Sequence, residues 1–285
     1  MVKLVDTKDL KSLPIGSASS SLAEGTIITM IKFHFTFDKN KKSQSLKKKL
    51  LRKYINNSAT SCDVIIVAGG DGYMLSSLKK YVKFNKPFYG INCGTYGFLM
   101  NKYISENLEK KISKSKKTII NPLQITSSNN KIYNKELFAV NEISLFRQTK
   151  QTASLRLEIG KKTLIKKLIG DGVLISTPAG STAYNLSVHG PILSLNSGKL
   201  AVTPISPFRP RRWKGKIVSN AVKIKLTNLD PKKRPVAAVA DNVEIRNIKS
   251  LIIKINKKIN LTLLHNSERS LVKRIKIEQH RRKFN

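Results

Sequence analysis

The sequence predicts an open α/β layer followed by an all-β layer, and three observations carry that prediction. Residues 62–68 contain the continuous run Val64-Ile65-Ile66-Val67-Ala68, ending in Gly69-Gly70. Such apolar, β-branched runs belong to parallel strands covered on both faces. The first half reads strand, helix, strand, glycine loop, helix, strand, glycine loop, which is the order of an open α/β sheet. Beyond about residue 120 helical spacing gives way to short strand-like pieces separated by turn residues, the pattern of an all-β unit.

Taken in order, residues 31–37 alternate and are rich in β formers, a first strand. Residues 43–54 carry Leu46, Leu50, Leu51 and Tyr54 at helical spacing. Residues 74–81 read as a second helix, and 87–92 as a strand ending at Gly94. A polar helix follows Leu99, and the lysine-rich stretch up to Lys117 reads as a linker. Strands are then expected at 120–126, 131–141, 143–146, 154–159, 162–169, 172–176, 198–203, 221–226, 235–240 and 251–255, with 127–130 as a hairpin turn. The boundaries that follow are 30–120 for the α/β domain, 121–265 for the β-rich domain, and 266–285 as a basic tail that either joins the first domain or hangs loose. Residues 1–29 hold a Ser/Ala/Gly tract without periodicity, and VKLVDTKDLKSLP resembles a translated transfer-RNA gene. They are expected to be a non-native or disordered extension, with Met30 as the native start.

Composition narrows the function classes. With 54 Lys+Arg against 17 Asp+Glu the formal charge is +37. Such a balance attracts phosphate backbones. Here, though, the lysines are spread along the chain beside abundant Asn and Ile, as AT-rich coding produces, and aromatic residues do not interleave with them. No specific nucleic-acid partner is therefore expected, although the charge helps steer polyanionic substrates. Cys62 and Cys93 are isolated, and His34, His189, His265 and His280 lack ligand spacing, so no protein metal ligand is assigned. Two lone thiols and no membrane-length apolar run fit a cytoplasmic protein.

Three segments carry chemistry. Gly69-Gly70-Asp71-Gly72 follows the buried strand. Glycines there let backbone N–H groups approach a phosphate, and a carboxylate among them either accepts a proton or holds Mg²⁺. Alone, these four residues are equally a plain β-turn. Residues 92–99 (NCGTYGFL) repeat the strand-to-glycine pattern and strengthen the case for a nucleotide crevice at the strand ends. Residues 170–187 (GDGVLISTPAGSTAYNLS) run from a strand into small and hydroxylated residues and then Tyr184, whose ring offers a flat face for a base. By composition alone this third segment is also a Ser/Thr-rich loop.

GGDG, NCGTYGFL, Asn141-Glu142 and GDGVLISTPAGSTAYNLSVHGPI, in this order, resemble the NAD kinase family from about Ile31 to beyond Asp241. Residues 200–213 (LAVTPISPFRPRRW) look like its bacterial, particularly alphaproteobacterial, branch. GGDG is shared with diacylglycerol kinase, sphingosine kinase and phosphofructokinase relatives, whereas the third segment is not. The resemblance implies a Rossmann-like N-terminal domain, a β-sandwich C-terminal domain and a homo-oligomer. It implies transfer of the γ-phosphoryl group of ATP, with Mg²⁺ or a similar divalent metal, to the 2′-hydroxyl of the adenosine ribose of NAD. Asp71 matches the family's proton acceptor, and Gly69, Gly70 and Gly72 its phosphate loop. Asn141 and Glu142 match the pair that hydrogen-bonds the dinucleotide. Asp171, Ala179, Thr182, Ala183, Tyr184, Asn185, Leu186 and Ser187 match the lining of the NAD site.

Three departures stand out. Tyr73 occupies a position where many members have Thr. Val188-His189 replaces a commoner Ala-Gly, and His189 reads as a packing variant. The late Asp-Gly pair appears as Asp241-Asn242, so no ligand contact is carried onto it. Two other readings fit parts of the sequence: a lipid kinase of the diacylglycerol or sphingosine type, and a basic nucleic-acid-binding protein.

Overall fold

The computed structural model describes residues 31–95, 97–103, 107–127, 137–266 and 273–275. The expected extension at 1–29, residues 128–130 of the expected hairpin turn and residues 131–136 of the strand expected at 131–141 lie outside them.

The first layer grows from three parallel strands, β1 (Phe33–Phe37), β2 (Val64–Gly69) and β3 (Phe88–Asn92). Every residue of β2 is buried, as a central parallel strand requires. Helix α1 (Lys41–Leu51) starts two residues before its hydrophobic spacing suggests, because the Asn40 side chain accepts the Ser43 N–H at 2.8 Å and caps it. Helix α2 (Asp71–Tyr81) begins inside the GGDG loop, so Asp71 is a first-turn helical residue. Helix α3 (Leu108–Ser113) is the polar helix expected after Leu99.

The stretch read as a linker ends in a strand, β4 (Lys116–Ile120). It is an edge strand whose two lysines face solvent, the usual way to blunt an open sheet edge, and that polarity made it read as irregular. Pro122 then separates β4 from β5 (Leu123–Ser127).

The second layer comprises β5, β6 (Leu137–Ala139), β7 (Glu142–Arg147), β8 (Ala153–Ile159), β9 (Lys162–Gly170), β10 (Gly172–Ser176), β11 (Lys199–Ile205), β12 (Lys216–Ser219), β13 (Ile224–Asn228), β14 (Val236–Ala240), β15 (Val243–Ile245) and β16 (Ser250–Ile255). They form two six-stranded antiparallel sheets, ordered β12-β11-β10-β7-β14-β15 and β6-β5-β16-β13-β8-β9. Leu145, Val173, Ile175 and Val202 of one sheet share a core with Leu155, Leu157, Leu226 and Ile253 of the other, so the two pack face to face as a β-sandwich. A four-residue helix, α4 (Tyr184–Ser187), interrupts the strands after a 3₁₀ turn at Gly180–Thr182.

Strand β17 (Leu261–His265) does not belong to the sandwich, although the sequence boundary put the β-rich domain's end at 265. It inserts between β3 and β4, giving the first sheet the order β1-β2-β3-β17-β4. Leu263 and Leu264 fill the cores on its two faces, which only a central position allows. Of the basic tail, Ile275 is 1 % exposed and joins the core beneath α2, so these residues return to the first layer. Among the described residues no helix is long and apolar enough to cross a membrane.

Candidate functional site

The GGDG loop leaves β2 with Gly70 extended as the N-cap of α2 (φ −100°, ψ −178°). A Cβ added at Gly70 or Gly72 would meet nothing within 4 Å, so the surface above the loop is open to a ligand. The Asp71 carboxylate lies between this loop and the second one. Its Oδ2 accepts the Phe98 N–H at 2.6 Å and its Oδ1 the Leu99 N–H at 2.8 Å, tying the first glycine loop to the second. A further link is the Cys93 N–H to the Gly69 carbonyl at 2.8 Å. Burial lifts the Asp71 pKa above the ordinary carboxylate value, against the opposing pull of the two N–H donors and the Arg274 charge. Arg274 donates to the Gly97 and Phe98 carbonyls at 2.9 and 2.5 Å, fixing the same loop from the tail. Tyr73, in the place of the commoner Thr, joins its hydroxyl to Thr36 Oγ1 at 2.5 Å and lays its ring over Gly69.

The acceptor-side segment is assembled on Val140–Asn141. Asp241 Oδ2 and Oδ1 accept the Val140 and Asn141 N–H groups, each at 2.9 Å. From the other side Thr177 Oγ1 donates to the Val140 carbonyl at 2.7 Å, and the Thr177 N–H donates to the Asn141 carbonyl at 2.9 Å. Gly180 lies against the same peptide: a Cβ there would sit 2.3 Å from the Asn141 carbonyl oxygen. Ala179, 3 % exposed, is packed with Val140, Met74 and Leu78 in the core under α2.

Glu142 follows directly, opposite Ser176 in the β7–β10 pairing. Its Oε2 is buried without a hydrogen-bond partner. Burial, and then the Asp241 charge, push its pKa up to about 8. Such a carboxyl, protonated below about 8, keeps an unpaired polar atom that can donate to or accept from a hydroxyl brought by a ligand.

Beyond Gly180, Thr182, Ala183 and Leu186 are half-buried, while Tyr184 and Ser187 are exposed. The Tyr184 ring centroid lies 5.7 Å from that of Phe146. Burial, Asp171 and Glu142 all raise the Tyr184 phenol pKa, so these three predicted residues share one neighbourhood. Asp171 itself is paired with Arg147 Nε at 2.5 Å. Asn185, also predicted to line the site, is fully buried. Its amide donates to the Ser181 and Pro191 carbonyls at 3.2 and 2.9 Å and accepts from Thr203 Oγ1 at 2.7 Å. It braces the loop from within. His189 is not the packing residue its sequence position suggested: it is exposed, with φ +61°, a left-handed turn that explains why glycine is the commoner residue there.

Among the described residues, no hydrogen bond joins Asp71 to this second group. Helix α2 connects them, through a residue the sequence reading did not single out. Lys79 Nζ lies 3.1 Å from Asp241 Oδ2 and donates to the Ala240 carbonyl at 2.9 Å and to Asn242 Oδ1 at 3.2 Å. One lysine in so lysine-rich a chain gave no signal. Nor do three or more His, Cys, Asp or Glu side chains gather as a metal cluster among the described residues.

Comparison with known proteins agrees with this arrangement. Residues 15–116 match the model of the ATP-NAD kinase N-terminal domain, and residues 140–268 that of the ATP-NAD kinase C-terminal domain. An NAD kinase from Brucella melitensis is 42% identical over 253 residues, spanning 89% of this chain and 98% of the relative. Those of Caulobacter vibrioides and Zymomonas mobilis are 41% and 44% identical, over 83% and 84% of this chain and 91% and 94% of theirs. Among solved structures, an NAD kinase from Archaeoglobus fulgidus in complex with ATP superposes with a TM-score of 0.67 at 22% identity, covering 84% of this chain and 95% of that one. Yeast NADH kinase complexed with NADH gives 0.65 at 23%, covering 78% and 68%. At those identities the two structures establish the shared fold. The lipid-kinase and nucleic-acid readings find no support in these comparisons. By its two matched domains and by relatives aligned over most of their length, this chain belongs to the NAD kinase family.

Proposed function

We propose that the enzyme transfers the γ-phosphoryl group of ATP to the 2′-hydroxyl of the adenosine ribose of NAD, giving NADP and ADP, with Asp71 as proton acceptor. The bond between the ribose oxygen and the γ-phosphorus forms as the bond to the β-phosphate oxygen breaks. The hydroxyl proton passes to the Asp71 carboxylate, and ADP leaves. The observation that carries this reading is the position of Asp71, between an open glycine loop and the backbone of a second one. A ribose hydroxyl is a weak nucleophile, and a positioned base contributes roughly 10²–10⁴-fold. The raised Asp71 pKa supports that role by making the carboxylate more basic. Both of its oxygens keep a second lone pair after accepting an N–H.

Asn141, Glu142, Asp171 and the segment from Ala179 to Ser187, braced from within by Asn185, are proposed to form the NAD site, with the free Glu142 oxygen meeting a ribose hydroxyl and Tyr184 meeting a base. Phosphoryl transfer otherwise rests on alignment and charge neutralisation. A divalent cation, Mg²⁺ in this reading, is proposed to arrive on the ATP phosphates. Mg²⁺ commonly binds through substrate phosphates and keeps several waters, so no protein ligand is assigned to it. The buried, unpaired cysteines support a reducing, cytoplasmic setting. Homo-oligomerisation is carried over from the family. The test is direct: purified enzyme incubated with ATP, Mg²⁺ and NAD should yield NADP, and absence of both NADP from NAD and NADPH from NADH would reject the activity.

A further inference from the structure

We infer that Lys79 and Asp241 form a positioning pair that fixes the acceptor-binding residues Asn141 and Glu142 to the helix bearing Asp71. This deepens the proposed function and rests on its assignment of Asn141 and Glu142 to NAD.

The Asp241 side chain is 0% exposed. Its backbone is left-handed at φ +52°, a conformation Asp and Asn tolerate better than most residues. The two carboxylate oxygens accept the Val140 and Asn141 N–H groups, so the carboxylate fixes the backbone of the two residues before Glu142. A buried carboxylate without a counter-charge is strongly disfavoured, and Lys79 supplies that charge at 3.1 Å. The lysine is itself restrained by the Ala240 carbonyl and Asn242 Oδ1, while Asn242 Nδ2 donates to Ser76 Oγ one helical turn back on α2.

Helix α2 is thus gripped at two places. Its first turn holds the second glycine loop through Asp71, and its last turn holds the acceptor segment through Lys79, about 12 Å along the axis at 1.5 Å per residue. Met74 and Leu78 between them are fully buried in the core that also contains Val140 and Ala179. The spacing between the proposed base and the acceptor site is therefore set by one rigid element. Deleting the ammonium leaves Asp241 a buried charge without its partner and loosens its hold on Val140 and Asn141, but leaves the Asp71 anchors at Phe98 and Leu99 untouched. The predicted defect is selective for the acceptor.

Lys79→Met keeps the aliphatic stem and removes the charge. Its kcat/KM for NAD should fall about 10- to 100-fold, since a misplacement near 1 Å costs up to about 10²-fold. KM for ATP should stay within about twofold, and Lys79→Arg should recover most of the loss. Calorimetric titration with NAD alone should show the same weakening, so the inference stands or falls even if turnover is never observed. Should Lys79→Met not fold, Asn242→Ala loosens the lysine from the surface and should raise KM for NAD about threefold with KM for ATP unchanged. Unaltered NAD affinity, or equal losses for NAD and ATP, would overturn the positioning role.

Discussion

The Asp71 carboxylate holds the Leu99 N–H at 2.8 Å, and with it the whole second glycine loop. The residue proposed as proton acceptor is therefore also the clasp between two strand ends. Its carboxyl reaches Phe98 in the same way, so its orientation is set by backbone rather than by another mobile side chain. Chemistry and loop architecture are joined in one side chain, which shapes how its variants should be read.

Glu142 should make stability depend on pH. The unfolded residue loses its proton near 4.5, whereas in the folded chain burial and Asp241 hold the proton until about 8. Between those values the native state binds more protons, so its stabilising effect is complete below about 4.5 and is lost as pH rises through about 8. Glu142→Gln should therefore be more stable than the parent at pH 8.5, by roughly 4 kcal/mol, with little difference at pH 4. Thermal melts at the two pH values test this. Equal differences at both would exclude the proposed ionisation.

His265 works in the opposite sense. It is fully buried, both ring nitrogens lack a hydrogen-bond partner, and burial followed by the Arg274 charge lowers its pKa to about 4. The unfolded imidazole takes up a proton first as pH falls. Its contribution is thus complete above the ordinary value of 6.5 and declines toward pH 4. In His265→Leu the acid loss between pH 7 and pH 4.5 should shrink by about 2 kcal/mol, as measured by urea unfolding. Identical acid limbs in the two proteins would count against a neutral, buried imidazole.

Gly180 tests the contact between the Thr177–Gly180 turn and Asn141. A methyl group there lies 2.3 Å from the Asn141 carbonyl oxygen and 2.4 Å from its carbon, so backbone must move. Gly180→Ala is expected to cost about 1–3 kcal/mol in stability and to raise KM for NAD about tenfold, with a smaller effect on ATP. Kinetics and a melt on one preparation measure both. An unchanged KM for NAD would show that this contact does not shape the acceptor site.

How much of this was readable in the sequence varies with the range of the interaction. The run Val64–Ala68 announced a covered parallel strand, and residues 172–176 were placed without error as β10, because burial on both faces writes a continuous apolar stretch. The lysines of β4 hid an edge strand, and the short β17 gave no sign that it would leave the sandwich and enter the first sheet. The Lys79–Asp241 pair joins residues more than half the chain apart, and no local pattern in a single sequence records it. Asn185 was singled out by its place in the long segment, yet the spacing of that segment could not tell a ligand-facing amide from one spent on Ser181, Pro191 and Thr203. His189 shows the same limit, since only the left-handed backbone distinguishes a turn residue from a packing one.

The most direct measurement compares NADP formation by the parent enzyme and by Asp71→Asn, with NAD binding followed by calorimetry on both. Asparagine offers one carbonyl oxygen and an NH₂ where two N–H groups now converge, so a modest fall in melting temperature is expected as well. If Asp71 accepts the proton, kcat should drop by roughly 10²–10⁴-fold while NAD still binds. A folded Asp71→Asn enzyme that forms NADP at close to the parental rate would contradict the central claim.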